Sequence, residues 1–293
     1  MITVLKAGPE LLVQDLGRPG HAAIGVSPSG ALDARALRAA NRLVANPESA
    51  AGLELLLGGA VLQFDDDAVV ALTGAFGEVS VAGRSTERYR PFRIKAGQRL
   101  EIGLATSGLR YYLAVAGGVV AEALMGSAAT DLLSGMGPAR LQEGDVLQVG
   151  ARRPGRGVGQ DGASALESPW MPVPHPTAGS VAVRLQPGPR LDWFVPDTRQ
   201  RLALGHWTVS ADSNRVGLRL LGRGLQRVDQ RELPSEGMVP GAVQVPPSGL
   251  PTVFLADHPV TGGYPVPAVV AAADLPLLAQ ARPGQRVRFF WAG

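Results

Sequence analysis

Val61-Leu-Gln-Phe64, Ala68-Val-Val-Ala-Leu-Thr73, Glu78-Val-Ser-Val81, Phe92-Arg-Ile-Lys-Ala96, Arg99-Leu-Glu-Ile-Gly-Leu104 and Arg110-Tyr-Tyr-Leu-Ala-Val115 follow one another through turns marked by glycine or aspartate. Each piece is too short for a helix and rich in the β-branched and aromatic residues that suit a pleated surface. So many short strands in series predict a barrel or a sandwich. The pattern extends outward. Ile2–Lys6 and Leu11–Gln14 read as strands before the series, and Leu141–Val149 closes it around a Glu143-Gly-Asp145 turn. Further on, Val181–Leu185, Trp207–Ser210, the segment ending at Leu220, Pro251–Ala256 and Arg286–Trp291 read the same way. Trp193-Phe194 reads as a short helix or an apolar plug.

Two helices are expected. Over Ala31–Ala45, Leu32, Ala36, Leu37, Ala40, Leu43 and Val44 fall on one face. Ser29 or Asp33 is the candidate cap, and Asn46-Pro47 the stop. The second helix is read over Ala268–Gln280. From 151 to 178 periodicity disappears among prolines, glycines and arginines, so the chain divides into residues 1–150, a linker 151–178 and residues 179–293. Gly155-Arg-Gly157-Val-Gly159 in that linker lacks the strand and helix a phosphate loop needs.

A chain of 293 residues with 45% hydrophobic and 18% charged residues buries a substantial core. The 38 glycines and 24 prolines fit a loop-rich β protein. Basic charge is almost all arginine, since Lys6 and Lys95 are the only lysines. The arginines are scattered without interleaved aromatics, which argues against nucleic-acid binding. The absence of cysteine excludes disulfides and thiol catalysis. His21, His175, His206 and His258 have no partner at metal-ligand spacing, so no bound metal is expected. No signal segment or membrane span is read, and the expected location is cytoplasmic.

The candidate site is Asp257-His-Pro-Val-Thr-Gly-Gly-Tyr-Pro265, placed where the strand Pro251–Ala256 ends. Gly262-Gly263 lets backbone turn or approach a ligand closely. Glu236 and Gln244 lie just upstream among glycines, so acid, amide and phenol groups converge with Asp257 and Tyr264 in a region otherwise short of charge. Asp257 and Glu236 are the acid–base candidates and Tyr264 a donor. Loop carboxylates are also common turn formers. Elsewhere, Asp15 and Arg18 are close enough to clamp the Gln14–His21 loop. Asn41, at the edge of the first helix's buried face, either holds a neighbouring loop or offers its amide to a ligand. Arg215 either binds an anion or pairs with Glu236 or Asp257. Glu54, in an apolar run, is on an exposed face or paired with an arginine.

Six motifs in order are similar to those of the carboxyltransferase C/D-subunit family, also called allophanate hydrolase subunit 2. They are Val13-Gln-Asp-Leu-Gly-Arg-Pro-Gly20, Gly25-Val-Ser-Pro-Ser-Gly-Ala-Leu-Asp33, Asn41-Arg-Leu-Val44, Ser235-Glu-Gly237, Val243-Gln-Val-Pro-Pro247 and Thr261-Gly-Gly-Tyr-Pro265. The resemblance covers nearly the whole chain. Pro259-Val260 stands where members often have Gln-Thr, and Asn214-Arg-Val-Gly217 departs from a frequent Asp-Arg-Met-Gly. The family implies a mainly β fold of two cyclophilin-like β-barrel domains with a few short helices. It implies a 5-oxoprolinase hetero-oligomer in which the A, B and C components open 5-oxoproline, a lactam, to glutamate with ATP hydrolysis. The B component of such a complex is similar to allophanate hydrolase subunit 1. ATP is then handled jointly rather than bound by this chain alone. Within that resemblance Gln244, Asn41, Arg18, Asp15, Thr261, Gly262 and Arg215 become substrate-binding candidates, and Asp257, Tyr264 and Glu236 catalytic ones. Two alternatives stand beside this reading: a carboxyltransferase acting on a urea-like acceptor with biotin-dependent partners, and a non-catalytic Kip-type regulatory binder. The chain carries no Met-Lys-Met biotin-attachment sequence and no Walker A sequence.

Overall fold

The computed structural model describes residues 1–151 and 179–292. The linker expectation, 151–178, with its glycine-rich Gly155–Gly159 segment and His175, falls outside the described residues except at Ala151. The protein is mainly β, with short helices, and divides into two compact units. The first comprises Met1–Arg18, Asp33–Thr130 and Gly135–Pro176, of which residues up to 151 are described. The second comprises Pro19–Leu32, Asp131–Ser134 and Thr177–Gly293. It therefore takes in two short segments that chain order alone assigns to the first half.

The first unit contains two sheets. One runs Val119–Val120, Val146–Val149, Ile2–Lys6, Ala60–Phe64, Arg99–Ile102, Val79–Val81, Arg84–Ser85 in spatial order. The other runs Glu10–Gln14, Gly52–Leu56, Ser107–Val115, Ala68–Phe76, Pro91–Ile94. Their alternating inward residues meet in one core that includes Ile2, Val4, Leu62 and Leu100 from the first sheet and Leu11, Leu55, Leu72 and Leu113 from the second. Ala68–Phe76 and Ser107–Val115 are buried on both faces, because the helix Ala34–Leu43 covers their outer side. Ala40, Leu43 and Val44 pack there on Val69, Ala71, Ala114 and Ala116. Asp33 is the cap: its Oδ1 accepts from Ala36 N at 3.0 Å, and its own N–H donates to Tyr112 Oη at 2.8 Å. Burial, then the nearby Glu54 and Asp33 charges, pushes the Tyr112 phenol well above its usual range. Glu54 is buried and faces Arg110 at 3.4 Å, which decides between the two sequence alternatives for it.

The second unit contains a closed barrel in the order Val181–Pro187, Ala268–Val270, Ala242–Gln244, Thr252–Phe254, Gly217–Leu221, Trp207–Val209, Arg286–Trp291. Closure is a parallel pairing of Arg286–Trp291 with Val181–Pro187, in which Val181 faces Val287. Val183, Leu185, Leu220, Val243, Val253 and Phe289 fill the interior. Trp207 is wholly buried and donates from Nε1 to Leu202 O at 3.0 Å. Trp193 ends a 3₁₀ turn, Leu191–Trp193, and the following Phe194 is the buried plug.

The helix expected over Ala268–Gln280 is corrected. Ala268–Val270 is a barrel strand, followed by a 3₁₀ turn at Ala272–Asp274 and a short helix at Leu275–Ala279. Val269-Val270 favour a strand, and Pro276 is tolerated only in the first turn of a helix, so the helix starts late. Replacement of Asp33 by Ala removes the cap of Ala34–Leu43. Urea unfolding should show a loss of about 1 kcal/mol.

Candidate functional site

In the second unit the strand Thr252–Phe254 leads into the loop that carries most of the expected site residues. Asp257 at its start is wholly buried and bound from several sides. Arg215 donates from Nε to Oδ2 at 2.8 Å and from Nη2 to Oδ1 at 2.9 Å, a two-point carboxylate–guanidinium pair. Ser29 Oγ donates to Oδ1 at 2.7 Å and Leu132 N to Oδ2 at 3.1 Å. Arg215 Nη2 also donates to Gly30 O at 2.7 Å. Both carboxylate oxygens are therefore engaged and the charge is neutralised. The general-base role expected for Asp257 is corrected to one of positioning, because both of its oxygens are already bound by protein donors and the side chain has no exposure. The anion-binding alternative for Arg215 gives way to its pairing with Asp257 for the same reason.

Further along, the loop forms a small ribbon. Thr261–Gly262 pairs antiparallel with Glu236–Gly237, with Glu236 opposite Gly262. Met238 N donates to Val260 O at 2.8 Å. Gln244, at the end of the barrel strand Ala242–Gln244, donates from Nε2 to Tyr264 O at 3.4 Å. A Cβ on Gly262 would lie 2.5 Å from that Nε2 and 3.1 Å from Met238 Cε, so only glycine leaves the amide in place. Glu236, Gln244, Thr261, Gly262 and Tyr264 are thus brought together. Glu236 is ion-paired to Arg190, which donates from Nε at 2.9 Å. The Tyr264 side chain is 44% exposed.

His258 follows Asp257 directly and carries a signal that metal-ligand spacing alone passes over. Its Nδ1 lies 2.8 Å from Pro259 O, its ring stacks on Phe254 at 5.8 Å between centroids, and its Nε2 is buried without a protein partner. Burial holds its pKa below the ordinary 6.5, against the opposing effect of Asp257 and Asp131.

Three expected residues lie in the first unit. Asn41 is wholly buried; its Nδ2 donates to Glu48 O at 3.2 Å and Ala50 O at 2.8 Å, while its Oδ1 accepts from Asn46 Nδ2 at 3.1 Å. Its amide holds the chain beyond the helix, and the ligand-reading alternative for it is corrected. Asp15 and Arg18 do not clamp each other. Asp15 accepts from Gly17 N at 2.7 Å, Ser127 Oγ at 2.6 Å and Ala128 N at 2.8 Å. Arg18, 1% exposed, donates to Leu124 O and Ala129 O, and its Nη1 is buried without a protein partner. Gln14 beside it donates to Thr130 O at 2.8 Å and leaves Oε1 unpartnered.

Two cavities contain none of these residues. One of about 480 Å³ in the first unit is lined by Phe64, Val69, Val115 and Gln148 among others. One of about 560 Å³ in the second is lined by Leu191, Phe194, Pro196 and Arg199 among others. Among the described residues no group of three or more His, Asp or Glu could hold a metal ion. None of their helices is long and apolar enough to cross a membrane.

A model of the carboxyltransferase domain, subdomain A and B, matches residues 24–291. The chain belongs to this family. It is 39% identical over 289 residues to the C subunit of 5-oxoprolinase from Escherichia coli, covering 99% of this chain and 90% of that protein. It is 35% identical to the protein of the same name from Haemophilus influenzae, again over 99% and 90%. The crystal structure of Kluyveromyces lactis urea carboxylase superposes with a TM-score of 0.88 at 28% identity, covering all of this chain and 27% of that one. The family likeness agrees with the strand-rich architecture.

Replacing Arg215 by Ala leaves Asp257 charged and uncompensated in the interior. Urea unfolding should show a loss of about 3–5 kcal/mol. Replacing the exposed Arg231, which pairs with Asp229 on the surface, should cost no more than about 1 kcal/mol.

Proposed function

We propose that this chain is the C component of an ATP-dependent 5-oxoprolinase, which opens the lactam 5-oxoproline to glutamate together with the A and B components. The observation that carries this reading is the near end-to-end match to two proteins named as the C subunit of 5-oxoprolinase, each covered over 90% of its length. The urea carboxylase and urea amidolyase chains it also resembles are several times longer, and it covers 27% and 16% of them. In this reading the chain is active only in the complex, in the cytoplasm, and ATP enters through the assembly. The family includes carboxyl transfer to a urea-like acceptor. The likeness to urea carboxylase favours that as the second reading, since urea and 5-oxoproline both present a carbonyl beside an N–H.

The chemistry of the second unit's loop supports recognition of the neutral amide group of a ligand. Its buried charges are paired: Asp257 with Arg215, and the half-buried Glu236 with Arg190. What is left are neutral donors and acceptors, namely the Gln244 amide, the Thr261 hydroxyl and the Tyr264 phenol, around glycines that admit close approach.

Two experiments test the reading. Purified alone, the chain should give no turnover; mixed with the A and B components it should restore ATP-dependent glutamate formation from 5-oxoproline. No turnover in a mixture whose components demonstrably assemble would refute it. Within an active complex, Gly262→Ala should leave the urea midpoint nearly unchanged yet lower kcat/KM about tenfold or more, because the added methyl displaces the Gln244 amide.

A further inference from the structure

His258 is the one buried side chain of this loop whose chemistry no contact described above uses up. Pro259 O can only accept a hydrogen bond, so the 2.8 Å contact requires that Nδ1 carry the proton. In the neutral ring Nε2 then bears a lone pair. That atom is buried, and no protein donor reaches it. A buried acceptor left without a donor forfeits the hydrogen bonds it would make to water. A flip of the ring in its own plane would keep the stack on Phe254 but give up the Pro259 hydrogen bond. The charged groups around it do not compete for the lone pair. Asp257 is neutralised by Arg215, and Asp131 accepts from Leu133 N, Ser134 N and Ser134 Oγ.

We propose that His258 Nε2 is the hydrogen-bond acceptor for the N–H of an amide-bearing ligand, and so selects a lactam over its ring-oxygen analogue. The inference rests on the 5-oxoprolinase reading and adds a residue to it. A neutral imidazole accepts from an N–H without the strong desolvation a carboxylate would suffer, which suits an uncharged amide. Specificity follows as well. A lactone of the same shape brings an oxygen lone pair against the Nε2 lone pair and is rejected. Protonation converts Nε2 into a donor. Since burial holds the pKa below 6.5, the acceptor form prevails at neutral pH and is lost only on further acidification.

The test uses the assembled three-component enzyme with 5-oxoproline and with the corresponding lactone. In the wild type, kcat/KM for 5-oxoproline should fall on acidification below about pH 6.5 in step with one protonation. His258→Asn keeps a side-chain donor for Pro259 O but has no acceptor at the Nε2 position. It should raise KM about tenfold or more, abolish that acid limb, and remove the preference for lactam over lactone. Histidine-labelled wild-type chain should show His258 as the Nδ1–H tautomer at pH 7 by ¹⁵N NMR, with Nε2 moving upfield when 5-oxoproline is added to the complex. Turnover by wild type together with an unaltered KM, acid limb and lactam preference in the Asn variant would overturn the proposal. An Nε2–H tautomer would do so even if that variant failed to fold. Absence of wild-type turnover in the assembled complex would instead overturn the lactam reading, and this ligand assignment with it.

Discussion

A single buried ion pair fixes the second unit's candidate loop. Asp257 and Arg215 are 0% and 1% exposed, and each would be costly to bury alone. Together, with Ser29 Oγ, Leu132 N and Gly30 O completing their hydrogen bonds, they join four stretches of chain distant in sequence. Ser27 Oγ adds a bond to Ala256 O at 3.0 Å beside them. The outcome is an asymmetric loop. Its root, at Asp257, is held from several sides, while its far end, at Thr261 and Tyr264, reaches solvent. A rigid root beneath an accessible tip is what lets neutral side chains keep their direction without a charged group among them.

The division of labour follows from charge. The polar groups named first by a reading of the sequence were acids and arginines, because those are the side chains with the most conspicuous chemistry. The fold uses them as ties: Asp257 with Arg215, Glu236 with Arg190, Glu54 with Arg110. The groups left with capacity are Gln244, Tyr264 and the neutral His258 in the second unit, and Arg18 Nη1 with Gln14 Oε1 in the first. In the proposed reading the second unit's set reads an amide by its donor and acceptor pattern.

Much of the architecture was legible in the sequence because its periodicity is local. Strand pieces such as Ile2–Lys6 and Arg286–Trp291 agree with the structure to the residue, and Asp33 caps the helix as its position suggested. The helix read at Ala268–Gln280 failed where an apolar run has no clear period: Ala, Val and Leu suit a buried strand and a helix alike, and barrel pairing decided for the strand. The site was legible only in part. The glycines and the strand end located the loop. The direction of Asp257 depended on partners at 29, 132 and 215, and that of Glu236 on Arg190, which no local pattern announces. His258 was read only for metal-ligand spacing, whereas the role proposed for it rests on an adjacent carbonyl and an aromatic face.

A crystal structure of the chain in complex with the B component that the proposed function assigns to it, and with 5-oxoproline, tests the central claim most directly. The account predicts the lactam seated against the loop from His258 to Tyr264, its ring N–H directed at His258 Nε2, with the Asp257–Arg215 pair intact beneath it. A lactam bound elsewhere and touching no residue of that loop, or one bound there with Asp257 freed from Arg215 to meet it, would contradict the account.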